Sequence, residues 1–383
     1  MRGVVHALTP GDHFSPRTGS AIPTVVHGLA QAAASDDGYR HEVLLDASTF
    51  HPRYSSATAI EYAGAGYPRK WERAVDLGLS KIGLPRVRAQ RSYRPMVTAL
   101  EGSTERLVIA HNAPILPGML DATPHVPIYY AHNDLPRGMS RSEAGRALGS
   151  VGALIAVSAD LADRISSRVP SAVAGRIRVV ENGVDTVGFR PREPAGAPAS
   201  DVVRIMFVGR IVPEKGADVL LKAAGMLART DVEVVIVGSQ GFDAGAALSP
   251  YERALRALAS EVDGTVRFQP FVDREALPAL LQSADIFVAP SRWPEPSGLT
   301  VGEAMATGLP VVASDAGGIP SVIGDAGVLV DPGDESALAD ALRSLIDDEG
   351  KRRTIGIAAR RRAEDRSWSH SWAQLRTALD EVA

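Results

Sequence analysis

Short apolar runs separated by helical stretches recur along the whole chain, and this alternation restricts the fold more than any other feature. In the first half the runs are Gly3–Leu8, His41–Asp46, Leu107–Ala110, Pro127–Tyr130, Leu154–Val157 and Ile177–Val180. In the second half they are Arg204–Val208, Glu233–Val237, Val266–Phe268, Ile286–Ala289, Val311–Ala313 and Gly327–Val330. Strands alternating with helices call for a mostly parallel, doubly wound sheet. Two such series imply an α/β protein with two Rossmann-like domains, and tandem domains create a cleft where ligands commonly bind. Residues 191–201, PREPAGAPASD, are rich in Pro, Ala and Gly and read as the linker. This divides the chain into a domain 1–190, the linker 191–201, a domain 202–365 and a final segment 366–383. Trp368, Trp372, Leu375 and Leu379 fall near one face of that last segment, as in an amphipathic helix.

The bulk numbers exclude several classes. A chain of 383 residues suffices for two ordinary domains, and 45% hydrophobic with 22% charged residues is a globular composition. A net charge of −4 gives no overall pull toward nucleic acid. There is no cysteine, so disulfides and thiolate metal sites are ruled out, in keeping with a reducing compartment. The opening MRGVVHALTP is too short an apolar stretch for a signal peptide, and nowhere do 18 apolar residues run together. The simplest expectation is a soluble cytoplasmic protein; heavy use of Ala, Gly and Arg points to a GC-rich bacterial genome.

Two stretches of the second half carry chemistry. In FVGRIVPEKGADVLLKA, Gly209 turns the chain after a strand, Arg210 follows, and Lys215–Gly216 precede a helix expected over Ala217–Arg229. Two cations at a strand end suit a diphosphate, which Arg binds bidentately and Lys as a point charge. In SRWPEPSGLTVGEAMATGLPVVASDAGG, Glu295 lies in a Pro/Gly-interrupted loop and Glu303 lies eight residues on, in a short helix expected over Thr300–Thr307. Pro296 and Gly298 hold off the helix start, so amides of Ser297, Gly298, Leu299 and Thr300 point outward, a seat for phosphate. Gly308 fits the helix C-terminus. Eight helical residues would rise about 12 Å, the span from a sugar ring across a diphosphate to a ribose. No Asp-x-Asp triplet occurs in the chain, and such acidic pairs are what usually hold a divalent ion on a diphosphate.

The Glu-x7-Glu spacing with EAMATGLPVVAS and GG, and the G-R-x4-K-G after a strand, resemble the retaining nucleotide-sugar glycosyltransferases of family four, including bacterial polysaccharide and spore-coat members. That resemblance implies the GT-B fold, two Rossmann-like domains facing a central cleft, with the last helix crossing back to the first domain. It implies a nucleotide-sugar donor, UDP-sugar being the commonest, and a hydroxyl acceptor; the missing Asp-x-Asp triplet, together with Arg210 and Lys215, argues that protein cations replace a metal, and no other cofactor is expected. Glu303 would hold the ribose hydroxyls, Glu295 a hydroxyl of the donor sugar, and the amides of Gly298, Leu299 and Thr300 sugar and phosphate. Ser297 stands where family sequences often have Phe. Val272, next to Phe271, would frame the base through its backbone; core packing accounts for Phe271 equally well.

In the first half the resemblance assigns Gly19, in SPRTGSA, to the donor phosphates. Thr18 replaces the first of the two glycines usual there, and a plain loop with Ser20 as helix cap is the alternative. His132, ending the strand in PIYYAHNDLP, would reach the transferred sugar; His111-Asn112, ending LVIAHNAP, would face the acceptor. Asn182-Gly183-Val184-Asp185 reads as a structural turn. Residues 69–94 hold eight Lys and Arg against Glu72 and Asp76. That segment is either a solvated arginine-rich face or a weak contact for an anionic acceptor or an anionic membrane. Two rival functions stay open: a GT-B nucleotide-sugar epimerase, and a non-catalytic sugar-nucleotide binding protein.

Overall fold

The computed structural model describes residues 1–65, 69–81, 86–193, 202–241 and 243–382. The chain divides into two compact units, one formed by Met1–Asn182 with Trp368–Ala383 and one by Gly183–Ser367. The divisions thus fall at 182/183 and 367/368 rather than at 190 and 365. The reason is local bonding: the Val184 N–H donates to the Arg366 carbonyl, and Phe189 is part of the second unit's core. Residues 194–201 of the expected linker lie outside the described residues.

Among the described residues the first unit has seven strands: β1 (Arg2–Ala7), β2 (Tyr39–Asp46), β3 (Thr58–Tyr62), β4 (Leu107–His111), β5 (Val126–Ala131), β6 (Ala153–Ala156) and β7 (Ile177–Val179). They are parallel, in the order β3-β2-β1-β4-β5-β6-β7. Six answer to the apolar runs of the sequence. The seventh, β3, is an edge strand whose residues are mostly exposed, so TAIEY offers no apolar run to read. One sheet face packs Val5, Ala7, Val108 and Ala110 against Met96, Leu100 and Leu116. The other packs Leu8, Val43 and Leu45 against Ile22 and Val26 of the helix Ala21–Ala32. The helix Trp368–Asp380 lies beside that helix, close enough that a Cβ on Gly28 would fall 2.3 Å from the Trp368 ring.

Among the described residues the second unit has six parallel strands: β8 (Val203–Val208), β9 (Val232–Val237), β10 (Thr265–Gln269), β11 (Ile286–Ala289), β12 (Val311–Ser314) and β13 (Val328–Val330). Their order is β10-β9-β8-β11-β12-β13, with apolar cores on both faces. The order reverses between β8 and β11, so the loops leaving those two strands diverge there and open a crevice at the strand ends. The cation loop and the Glu295 loop are these two loops.

They meet closely. Gly216 has φ +71, and a Cβ there would stand 1.9 Å from the Pro290 carbonyl oxygen. The Arg292 N–H donates to the Glu214 carbonyl at 2.9 Å. Only a glycine permits both the backbone conformation and the approach. Gly216→Ala is expected to cost more than about 1 kcal/mol, read as a lowered urea midpoint; an unchanged midpoint would show that the two loops can separate freely.

Candidate functional site

The second unit gathers most of the residues singled out by the sequence. Lys215 ends a 3-10 turn, Pro213–Lys215, and its Nζ lies 2.6 Å from Oε1 of Glu295. Ser291 Oγ donates to the same oxygen at 2.7 Å. Glu295 is 6% exposed, Lys215's side chain 27%. The Glu295 carbonyl accepts the Gly318 N–H at 2.6 Å, and Gly317, with φ +63, passes so close that a Cβ would fall 2.2 Å from that oxygen. The GG pair after β12 therefore holds the Glu295 backbone, while Lys215 and Ser291 hold its carboxylate. Arg210 is exposed on the loop after β8, and its guanidinium has no ionic partner among the described residues.

The helix Leu299–Ala306 begins one residue earlier than expected, from Gly298 at φ +90. Its first bonds are made by Val301 and Gly302, both donating to the Gly298 carbonyl. The Leu299 and Thr300 amides donate to no group among the described residues, as a helix start requires. Gly298, Leu299 and Thr300 are half-buried, and Ser297 is buried. At the far end Gly308 N–H reaches Met305 O and Leu309 N–H reaches Ala304 O, a Schellman stop with Gly308 at φ +77.

Glu303 is buried on this helix. Arg274 donates to its Oε1, whereas Oε2 is buried without a partner. Burial raises the Glu303 pKa and the Arg274 guanidinium opposes that rise. The strand ends beside it are stitched together: Gly209 N–H to Val237 O, Ile211 N–H to Ser239 O, Gly238 N–H to Gln269 O, and Phe271 N–H to Ser239 Oγ. Val272 packs against the core beneath. Arg274 escaped the sequence reading because it stands in no motif; Ser291 opens the block that carries Glu295, but its bond to that carboxylate is made by the fold of the loop. No three His, Asp or Glu side chains converge as a metal-ligand set among the described residues.

In the first unit, Gly19 is exposed in the loop before the helix Ala21–Ala32. Ser20 occupies the N-cap position but does not cap; its hydroxyl donates to Asp12 Oδ1 at 2.7 Å. His132 is buried, and burial lowers its pKa to about 3. Its Nε2 lies 2.8 Å from Nδ1 of His111, whose Nε2 lies 2.9 Å from Nδ1 of His6. His6 Nε2 in turn lies 2.8 Å from Nδ1 of His41. This corrects the acceptor-side reading of His111: it is fully buried and both ring nitrogens are spent on other histidines. Asn112 is likewise engaged, its Oδ1 accepting the backbone N–H groups of His132 and Asn133 at 2.8 and 3.2 Å. Its positive φ of 49 lets the side chain reach back in this way.

The basic segment spends part of its charge internally. Glu72 accepts from Arg88 and the Arg69 amide, Asp76 from the Arg88 and Ala89 amides, and Arg86 pairs with Glu143. Trp71 remains 54% exposed under the Arg88 guanidinium. No described helix is long and apolar enough to cross a membrane.

Residues 192–362 match the family described as glycosyl transferases group 1. The D-inositol 3-phosphate glycosyltransferase of Salinispora arenicola is 36% identical over 218 residues, 52% of this chain and 48% of that protein. Spore coat protein SA of Bacillus subtilis is 32% identical over 242 residues, 59% of this chain and 64% of that protein. The chain spans between about half and two thirds of these relatives' length. Among solved structures, the sucrose-phosphate synthase of Thermosynechococcus elongatus aligns with a TM-score of 0.77 at 21% identity, covering 99% of each chain. Anabaena HepE in complex with UDP and glucose aligns at 0.71 and 20% identity, covering 98% of this chain and 99% of that one. At such identities the likeness shows the fold, which is GT-B, with two Rossmann-like domains.

Removing Arg274 would leave Glu303 buried and unpaired. Arg274→Ala is expected to cost about 3–5 kcal/mol, and Glu303→Gln in the same chain to restore part of it, measured by urea unfolding. A loss under about 1 kcal/mol would mean that the pair contributes no more than an exposed one.

Proposed function

Residues 192–362 belong to the glycosyl transferases group 1 family, and from that premise we propose that the protein moves a hexose-type sugar from a nucleoside diphosphate sugar to a hydroxyl acceptor, with retention and without a divalent metal. The observation that supports this best is the Lys215–Glu295 contact at the β8/β11 crevice, with Arg210 on the same loop as Lys215 and without an ionic partner among the described residues, and with the start of the helix Leu299–Ala306 following Glu295. Arg210, Lys215 and the amides of Leu299 and Thr300 supply positive charge for a diphosphate. Glu295 has one oxygen committed to Lys215 and Ser291, leaving the other for a sugar hydroxyl. Glu303 has Oε1 on Arg274 and a bare Oε2 for a ribose hydroxyl. Gly19 and the Val272 backbone are assigned to phosphate and base, and His132 to the transferred sugar.

UDP is the favoured carrier, since HepE, a protein of the same fold, was solved with UDP and glucose. The relative's name supports a phosphorylated acceptor, for which the basic residues of 69–94 are suited.

Retaining hydrolases use two carboxylates about 5–5.5 Å apart around one bond. Here each carboxylate already has a cation of its own, which favours a different course. The acceptor oxygen attacks the anomeric carbon from the leaving-group side. The bond to the diphosphate breaks, and the departing phosphate oxygen takes the acceptor's proton. Cations that hold the diphosphate more tightly as it leaves lower this barrier.

Arg210→Ala and Lys215→Ala are each expected to lower kcat by about 10²–10³, with wild-type turnover unchanged in excess EDTA. Activity lost in EDTA and restored by Mn²⁺ would overturn the metal-free reading. Solvent deuterium in recovered donor would point instead to an epimerase.

A further inference from the structure

The four histidines His41, His6, His111 and His132 form one hydrogen-bonded file across four neighbouring strands or strand ends. The sheet register explains it. Val4 pairs with His41, His6 with Ile109, and His111 with Tyr130. Each step to the next strand is therefore a diagonal of two residues on one face of the sheet, within reach of long side chains. The rings are also stacked: His6 on His41 and His111, and His111 on His132, with Tyr130 against both of the latter. The edge of Trp372 meets His41. All four are buried, and burial holds their pKa values down: about 4 for His41, about 3 for His132, and well below the usual value for His6 and His111. At neutral pH each ring therefore carries one proton. The outermost nitrogens, His41 Nε2 and His132 Nδ1, are buried and unpartnered.

A neutral imidazole has one N–H and one bare nitrogen. Three bonds joining four such rings leave few choices. If His41 carries its proton on Nδ1, it donates to His6 Nε2, so His6 must be protonated on Nδ1. The same follows for His111 and His132, and His132 Nδ1 ends as a donor. If His41 carries its proton on Nε2, every ring does, and His132 Nδ1 ends as an acceptor. Any mixed set places two N–H groups or two bare nitrogens face to face in a buried site, where an unmade bond is costly. We propose that the four rings change tautomer as one unit, so that His41, His6 and His111 decide whether His132 presents a donor or an acceptor at Nδ1. These three are positioning residues. Their bearing on sugar transfer rests on the assignment of His132 to the transferred sugar.

The test is ring ¹⁵N NMR of the full-length protein labelled at histidine, near neutral pH, with long-range ¹H–¹⁵N correlations reporting each tautomer. The four rings are expected to be neutral and to share a single tautomer, all Nδ1–H or all Nε2–H. One ring in the opposite tautomer, or a protonated ring within the file, would overturn the proposal without any variant having to fold. A second arm measures turnover of His41→Phe, which cuts the file at its far end, and of His41→Gln, whose amide can still donate or accept. The first is expected to lower kcat about tenfold at unchanged donor KM, and the second to restore it. Shared tautomers with turnover unaffected by His41→Phe would leave the coupling intact and remove the assignment of His132 to the sugar.

Discussion

The contact of Lys215 with Glu295 is the point from which the second unit's chemistry is arranged. It joins the loop after β8 to the loop after β11, the two loops that the reversal of strand order sends apart. Ser291 completes the coordination of Glu295 Oε1, and the Gly317–Gly318 backbone grips the residue from the other side. A lysine still a quarter exposed gains little stability from such a pair. Its consequence is geometric: a buried carboxylate and a cation are held at the same strand ends as the start of the helix Leu299–Ala306. Glycines make this possible because Gly216 and Gly317 lie where no Cβ would fit.

Much of this was legible in the chain. Apolar runs gave twelve of the thirteen strands among the described residues because parallel strands covered on both faces have no polar alternation to blur them. The thirteenth, β3, is an exposed edge without an apolar signature. The motif residues Lys215, Glu295 and Glu303 were readable because glycines and prolines around them fix the local turns. The roles of Arg274 and Ser291 beside them were not. Arg274 reaches Glu303 across 29 positions of sequence, and Ser291, though it opens the Glu295 block, turns its hydroxyl to that carboxylate only through the fold of the loop. The histidine file escaped for a related reason. A single histidine in GVVHAL or YRHEV looks like an isolated polar residue in a strand, and only the register of four strands lines the rings up. What did offer a signal was the oddity itself, since a buried polar side chain in an apolar strand requires a partner.

The candidate residues of the two units use buried polarity differently. In the second unit, Glu295 and Glu303 each have one carboxylate oxygen on a cation, Lys215 and Arg274. Along the histidine file of the first unit, neutral rings satisfy one another in series, and the file's unpartnered nitrogens are those at its two ends. Both arrangements are costly unless completed, and two of the buried unpartnered atoms, Glu303 Oε2 and His132 Nδ1, belong to residues that the resemblance to nucleotide-sugar enzymes assigns to the donor.

The central claim is that side-chain cations and helix-end amides of the second unit bind a diphosphate by themselves. Titration calorimetry in excess EDTA tests it most directly, comparing nucleoside diphosphates with the monophosphates of the same bases. The account predicts that the preferred diphosphate binds at least about tenfold more tightly than its monophosphate, the equivalent of one charged hydrogen bond of roughly 1.5 kcal/mol. Equal affinities, or a diphosphate preference that appears only when Mn²⁺ or Mg²⁺ is added, would contradict it.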